Sequence, residues 1–222
     1  MRRSVGAIVT ASVLWLFLLG WGGCAGTAQA ASTENVGGSV IFTDDFSNPS
    51  SGWETSDTSR GRVMYQSRSL VIRDYTGTDS ARTTSHRADS YVQDAIVEFD
   101  VKWIDGTDDN WQSVEVRNDR SGSAYGFDIS ADGYYGITVD VNGRPQNLVG
   151  PTQSSYIRRG RNAVNSVQAS AIGSALRLSV NGHLLAEETD TRLKEGSISF
   201  SVSSLAGQYS EVAFTNLRVS RP

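Results

Sequence analysis

Glu98 and Asp100 are the first residues in the chain that invite a chemical reading. They alternate with Val97, Phe99 and Val101, so both carboxylates fall on the polar face of one strand. Hydrolysis of a glycosidic bond needs two carboxyl groups across the scissile bond, one to give a proton and one to act as base or nucleophile. Here the strand runs on into Lys102 and Trp103, so an acid/base partner is missing and the pair reads as a solvent face. No catalytic residue is assigned. His86 and His183 are the only histidines, and neither has a second metal ligand near it in sequence, so no zinc site is expected. Neither a Gly-x-Ser-x-Gly elbow nor a glycine-rich phosphate loop occurs.

A different chemistry fits another group of side chains. Trp111 opens a strand after the acidic run 105–110, and Tyr134 follows the turn Asp132-Gly133. Aromatic rings of this kind stack on the apolar faces of sugar rings, while planar polar groups bond sugar hydroxyls. Gln112, Glu115 and Arg117, with Asn118, supply such groups, and Tyr156 lies in a later connection with Gln153 and Arg158. The expected ligand-binding residues are Trp111, Tyr134, Gln112, Glu115 and Arg117, with carbohydrate the leading ligand. An accessory subunit that binds an envelope protein, or a hydrolase assembled from scattered residues, are the alternatives.

The elements that must position these residues are strands. Period-two alternation is clearest in Ala95, Val97, Phe99, Val101 and Trp103, and returns at Tyr125–Ile129, Leu176–Val180 and Ile198–Val202, the last with serines facing outward. Asp132-Gly133, Asn142-Gly143 and Asn181-Gly182 supply positive-φ residues for tight hairpins. The segment 162–171 reads equally as helix or strand. With 22 Gly and only 4 Pro, and without crossover helices, the composition points to one all-β domain, a sandwich or barrel. In the closing phrase, Val212 and Phe214 share one parity and Leu217 and Val219 the other, so all four reach the core only across a β-bulge near Thr215-Asn216.

The N-terminus reads as an export segment. Arg2 and Arg3 precede an apolar stretch from Val5 to Leu19, which is short for a membrane span of about 20 residues. Two processing points compete: Trp21-Gly-Gly-Cys24, which looks like a lipoprotein box with Trp in place of the usual aliphatic residue, and Ala28-Gln-Ala30, an ordinary peptidase site. Residues 1–30 are therefore taken as signal, 31–38 as linker and 39–222 as the domain. The protein is expected outside the cytoplasm, secreted or anchored through a lipid on Cys24. Cys24 is the only cysteine, so no disulfide within the chain can staple the fold. A net charge of −4 without a basic stripe argues against nucleic acid as a partner.

The stretches Tyr125–Gly136, Ser155–Gly160, Leu176–Gly182 and Gly196–Phe200, with Asn165, the opening Phe42–Phe46 and the closing Val212–Val219, resemble the concanavalin A-like lectin/glucanase superfamily. They look most like extracytoplasmic modules related to the keto-disaccharide hydrolase domain. The resemblance implies a two-sheet antiparallel jelly-roll sandwich whose first and last strands meet. It loosely implies carbohydrate as ligand class. Laminarinase-type members carry a Glu-x-Asp-x-x-Glu strand whose outer glutamates are the reacting groups, and Glu98 begins a similar phrase that breaks at Trp103. Some members bind structural calcium where first and last strands meet, which would involve Asp45 and Asn216 here. No other cofactor is expected.

Overall fold

The computed structural model describes residues 38–75, 83–87, 89–204 and 209–222. Cys24 and both processing points lie outside them. Fifteen strands follow in chain order: β1 (Val40–Asp44), β2 (Ser56–Asp57), β3 (Gly61–Tyr65), β4 (Leu70–Asp74), β5 (Thr83–His86), β6 (Ala95–Gly106), β7 (Asn110–Asn118) and β8 (Ala124–Ile129). Then come β9 (Tyr134–Asp140), β10 (Pro145–Gln153), β11 (Val164–Ile172), β12 (Ala175–Val180), β13 (His183–Thr189), β14 (Ser197–Ser204) and β15 (Ser210–Ser220). No helix occurs among the described residues, and 164–172 is a strand.

The strands form two antiparallel sheets. A nine-stranded sheet runs β13-β12-β11-β6-β15-β4-β3-β2, with β1 also paired to β15, and a six-stranded sheet runs β10-β9-β8-β7-β14-β5. The chain changes sheet six times, at β4/β5, β5/β6, β6/β7, β10/β11, β13/β14 and β14/β15, which interleaves distant segments in the manner of a jelly roll. Hairpin chemistry sets the short links. Asn142-Gly143 and Asn181-Gly182 both take positive φ, which gives the two-residue turns β9–β10 and β12–β13. At 132–133 only Gly133 is positive, so β8–β9 closes through a three-residue loop in which Ser130 N–H bonds Tyr134 O.

The two inner faces meet in one core. Ala95, Val97, Phe99 and Val101 of β6 face Val114 and Val116 of β7, the odd residues of β8, and Ile198, Phe200 and Val202 of β14, all nearly or fully buried. Its centre is aromatic: Phe200 stacks on Phe214 at 4.4 Å and takes the edge of Phe99 at 5.0 Å. Trp53 joins this group and donates its indole N–H to buried Asp44. Each such ring, fully buried, contributes roughly 1.5–3 kcal/mol by desolvation.

The expected bulge is present. The register of β15 against β6 shifts between Thr215 and Arg218, and Asn216 takes φ 54° to absorb the extra residue. Val212, Phe214, Leu217 and Val219 all reach the core as a result. The bulge also divides the strand. β4 pairs with Ser210–Phe214, and β1 takes over the same edge from Leu217 to Ser220, so the first and last strands meet.

Candidate functional site

Alternation in the six-stranded sheet decides what its outer face can do. With Tyr125, Phe127 and Ile129 inside, β8 presents Ala124, Gly126 and Asp128 outward; β9 presents Gly136, Thr138 and Asp140; β14 presents Ser199, Ser201 and Ser203. These are small or short polar groups, so the face is low and leaves a groove. Two adjoining hollows occupy it, of about 210 and 250 Å³, which share Thr138 and Pro145. One runs from Thr84 and His86 past Glu115 and Gly126 to Asp140, and the other lies between Trp111, Asp128, Gly136 and Val149.

Two carboxylates stand in the floor. Glu115 accepts hydrogen bonds from Asn118 Nδ2 at 2.8 Å, Ser199 Oγ at 2.7 Å and Ser201 Oγ at 3.1 Å. Asp128 accepts from Ser113 Oγ and, at 3.2 Å, from Thr138 Oγ1. Glu115 lies opposite Gly126 and Ser113 opposite Asp128, which makes the two acids diagonal neighbours on paired strands. Gly126 leaves room between them: a Cβ there would displace Thr138 Oγ1 and lie 3.4 Å from Asp128 Oδ1.

A second bulge shapes β7. Arg117 takes φ 54°, and the register against β14 shifts between Ser197 and Ser199, so Ser113, Glu115 and then Asn118 face the groove. Arg117 itself is 2% exposed and turns away from the groove. Its guanidinium donates to the carbonyls of Gln93, Leu193 and Gly173, each at 2.9 Å, and to Asp94 Oδ1 at 3.2 Å. Arg117 is a clamp between loops at the end of the sandwich.

The other expected residues are distributed as follows. Trp111 is half-buried, lies opposite Ser203 and lines the groove together with Val149 and Pro151 of β10. Gln112 has the parity of Val114 and faces inward, where its amide bonds Asn110, which in turn bonds Ser210 of the opposite sheet. Tyr134 begins β9 beyond the groove-lining residues. Glu98 and Asp100 lie on the outer face of the other sheet, bonded to Arg218 and Gln168 and to Ser166 and Asn216. Sequence reasoning missed Asp128, Gly126, Gly136, Thr138, His86 and Asp140. A signal existed, because an outward strand face made of Gly, Ser and Thr cannot be an ordinary charged surface.

Asp45 and Asn216 do border one shallow depression, with Asp44, Arg87 and Arg218. Its acids are already engaged. Asp44 holds Arg87 at 3.1 Å and Trp53, and Asp45 pairs with Ser47 and Arg68, whose bonds, with those of Ser47 foremost, hold its carboxyl below the usual range. Among the described residues no three His, Cys, Asp or Glu side chains gather as a metal site. His183 stacks on Tyr156 with ring centroids 3.7 Å apart, away from the groove residues.

The strongest pKa shifts lie at the edge of the sandwich. Burial raises the Tyr125 phenol to about 12, helped by its bond to Asp190. At Asp190 burial pushes upward, but bonds from Arg192 and Tyr125 outweigh it and hold the acid at about 2.

No family model matches the chain, and no curated protein matches it. Solved structures do. A carbohydrate-binding module, CBM66 from Bacillus subtilis, superposes with a TM-score of 0.59 at 15% identity, over 77% of this chain and 96% of that one. A GlcNAcα1-4Gal-releasing endo-β-galactosidase from Clostridium perfringens gives 0.63 at 10% identity, over 85% of this chain and 64% of that one. The β-glucanase of Bacillus licheniformis gives 0.57 at 11%, over 83% and 99%. These likenesses show the fold, a two-sheet antiparallel jelly-roll sandwich of concanavalin A-like architecture.

Proposed function

We propose that this chain is a non-catalytic carbohydrate-binding module, exported and held at the cell envelope by a lipid on Cys24. The observation that carries the reading is the groove on the six-stranded sheet. It is a long hollow with a small-residue floor, carboxylates able to accept from sugar hydroxyls, and one indole at its wall. Likeness over nearly the whole of a carbohydrate-binding module supports it. The absence of catalysis is supported by β7. Ser113, Glu115 and Asn118 face the groove with the spacing of the Glu-x-Asp-x-x-Glu strand, but a hydroxyl and an amide stand where that pattern has its reacting glutamates.

The test is a glycan array followed by calorimetry on residues 31–222, which contain the whole sandwich. Binding that falls about tenfold or more in Trp111→Ala and Glu115→Gln supports the reading, and the absence of any glycan ligand removes it. Cys24→Ala tests the tether: the protein should leave the membrane fraction, and unchanged fractionation counts against lipidation. One observation favours a hydrolase as second reading. Diagonal neighbours lie about 7–8 Å apart, which puts Glu115 and Asp128 within the roughly 5–9.5 Å spacing of glycosidase carboxyl pairs. Turnover abolished by Glu115→Gln would establish it.

A further inference from the structure

Calcium at the meeting of the first and last strands, which the superfamily resemblance implies, needs roughly six to eight oxygen ligands at about 2.3–2.6 Å. The side-chain oxygens around that depression already have partners. Asp44 Oδ1 accepts from the Phe46 N–H at 2.8 Å, and its Oδ2 accepts from the Trp53 indole at 3.0 Å and from Arg87 Nη1 at 3.1 Å. Asp45 holds Ser47 and Arg68, and Asn48 Oδ1 takes the Ser50 N–H at 3.0 Å. Asn216 donates its amide to Asp100 on the outer face of the nine-stranded sheet, at 2.7 Å. Two arginines, Arg87 and Arg218, line the same depression. These residues do not fit a bound metal ion, because the most buried acid among them is saturated by donors and faces a guanidinium.

We propose that Arg87 is the structural cation of this domain, a built-in positive charge at the place where the resemblance implies calcium, and that the fold needs no metal there. The Arg87 and Asp44 side chains are only 11% and 5% exposed, so the pair is shielded from water. The guanidinium also lies 4.2 Å from the centre of the Phe42 ring and donates to Asp89 at 2.7 and 3.4 Å. Its backbone is fixed independently. Arg87 N–H bonds Ile198 O of β14 at 3.3 Å, and Arg87 forms a bridge with Trp53. One residue thereby ties β1, in the nine-stranded sheet, to β14 and to β5, the strand that brings Thr84 and His86 to the groove. Removing the charge leaves the Asp44 carboxylate buried without its counter-ion, which is far more costly than losing an exposed pair.

The test is thermal melting of residues 31–222 in excess EDTA and in millimolar calcium. The wild type should melt at the same temperature in both. Arg87→Gln, which keeps the stem over Phe42 and removes the charge, should lower the melting temperature by roughly 10 °C. Asp44→Asn should then cost less in the Arg87→Gln background than in the wild type, because there it removes an uncompensated buried carboxylate. A wild type that gains stability with calcium and loses it in EDTA overturns the proposal. Equal costs of Asp44→Asn in the two backgrounds also overturn it, since they would reduce Arg87 to packing against Phe42. The wild-type comparison stands even if Arg87→Gln fails to fold, and none of these measurements depends on the domain binding a glycan.

Discussion

Arg117 and Glu115 are two residues apart on one strand and share a parity, yet one clamps loops and the other lies in the groove floor. The bulge at Arg117 separates them. Buried arginine is tolerated here because three carbonyls and Asp94 accept hydrogen bonds from its guanidinium. Arg117→Ala should therefore cost about 3 kcal/mol in denaturant unfolding, while glycan affinity of the folded fraction stays unchanged. A loss of affinity without a loss of stability would instead make Arg117 a ligand residue. Asp190 gives a pH prediction. Its folded pKa of about 2 lies below the ordinary 3.8, so the stability it contributes is full above pH 4 and disappears as pH falls through 2. The melting temperature should drop across that window, and Asp190→Asn should flatten that part of the profile.

At the scale of elements, what was legible in the sequence followed from periodicity and turn chemistry. The alternation 95–101 fixed the inner face of β6, and the parity break between Phe214 and Leu217 required the bulge in β15. The bulge in β7 left no such trace, because Glu115, Arg117 and Asn118 are all polar and no apolar parity is broken. Their separation into groove and clamp was therefore unreadable. The turn between β3 and β4 was also hidden. Ser67 and Arg68 both take positive φ, 52° and 58°, where Asn-Gly would be the natural choice. Left-handed backbone costs a side-chain residue about 1 kcal/mol or more. Ser67→Asn with Arg68→Gly should raise the unfolding free energy by about 1 kcal/mol, since the Arg68–Asp45 pair it removes is solvent-exposed. An unchanged midpoint would show that the turn carries no strain.

For the whole molecule, the two outer faces are built differently. The face of the nine-stranded sheet carries interlocking long pairs such as Glu98–Arg218 and Arg177–Glu187, which fill it. The face of the six-stranded sheet carries Gly126, Gly136 and the β14 serines, which leave it hollow. Sequence alone identified Trp111 and Glu115 as candidates but could not reveal the hollow, because it is lined from all six strands of the sheet, brought side by side by the topology. Amide chemical-shift mapping during titration with a bound glycan tests the central claim most directly. Shifts should concentrate at Trp111–Glu115, Gly126–Asp128 and Gly136–Asp140. Shifts confined to the Glu98–Arg218 face, or to Tyr156 and His183, would contradict it.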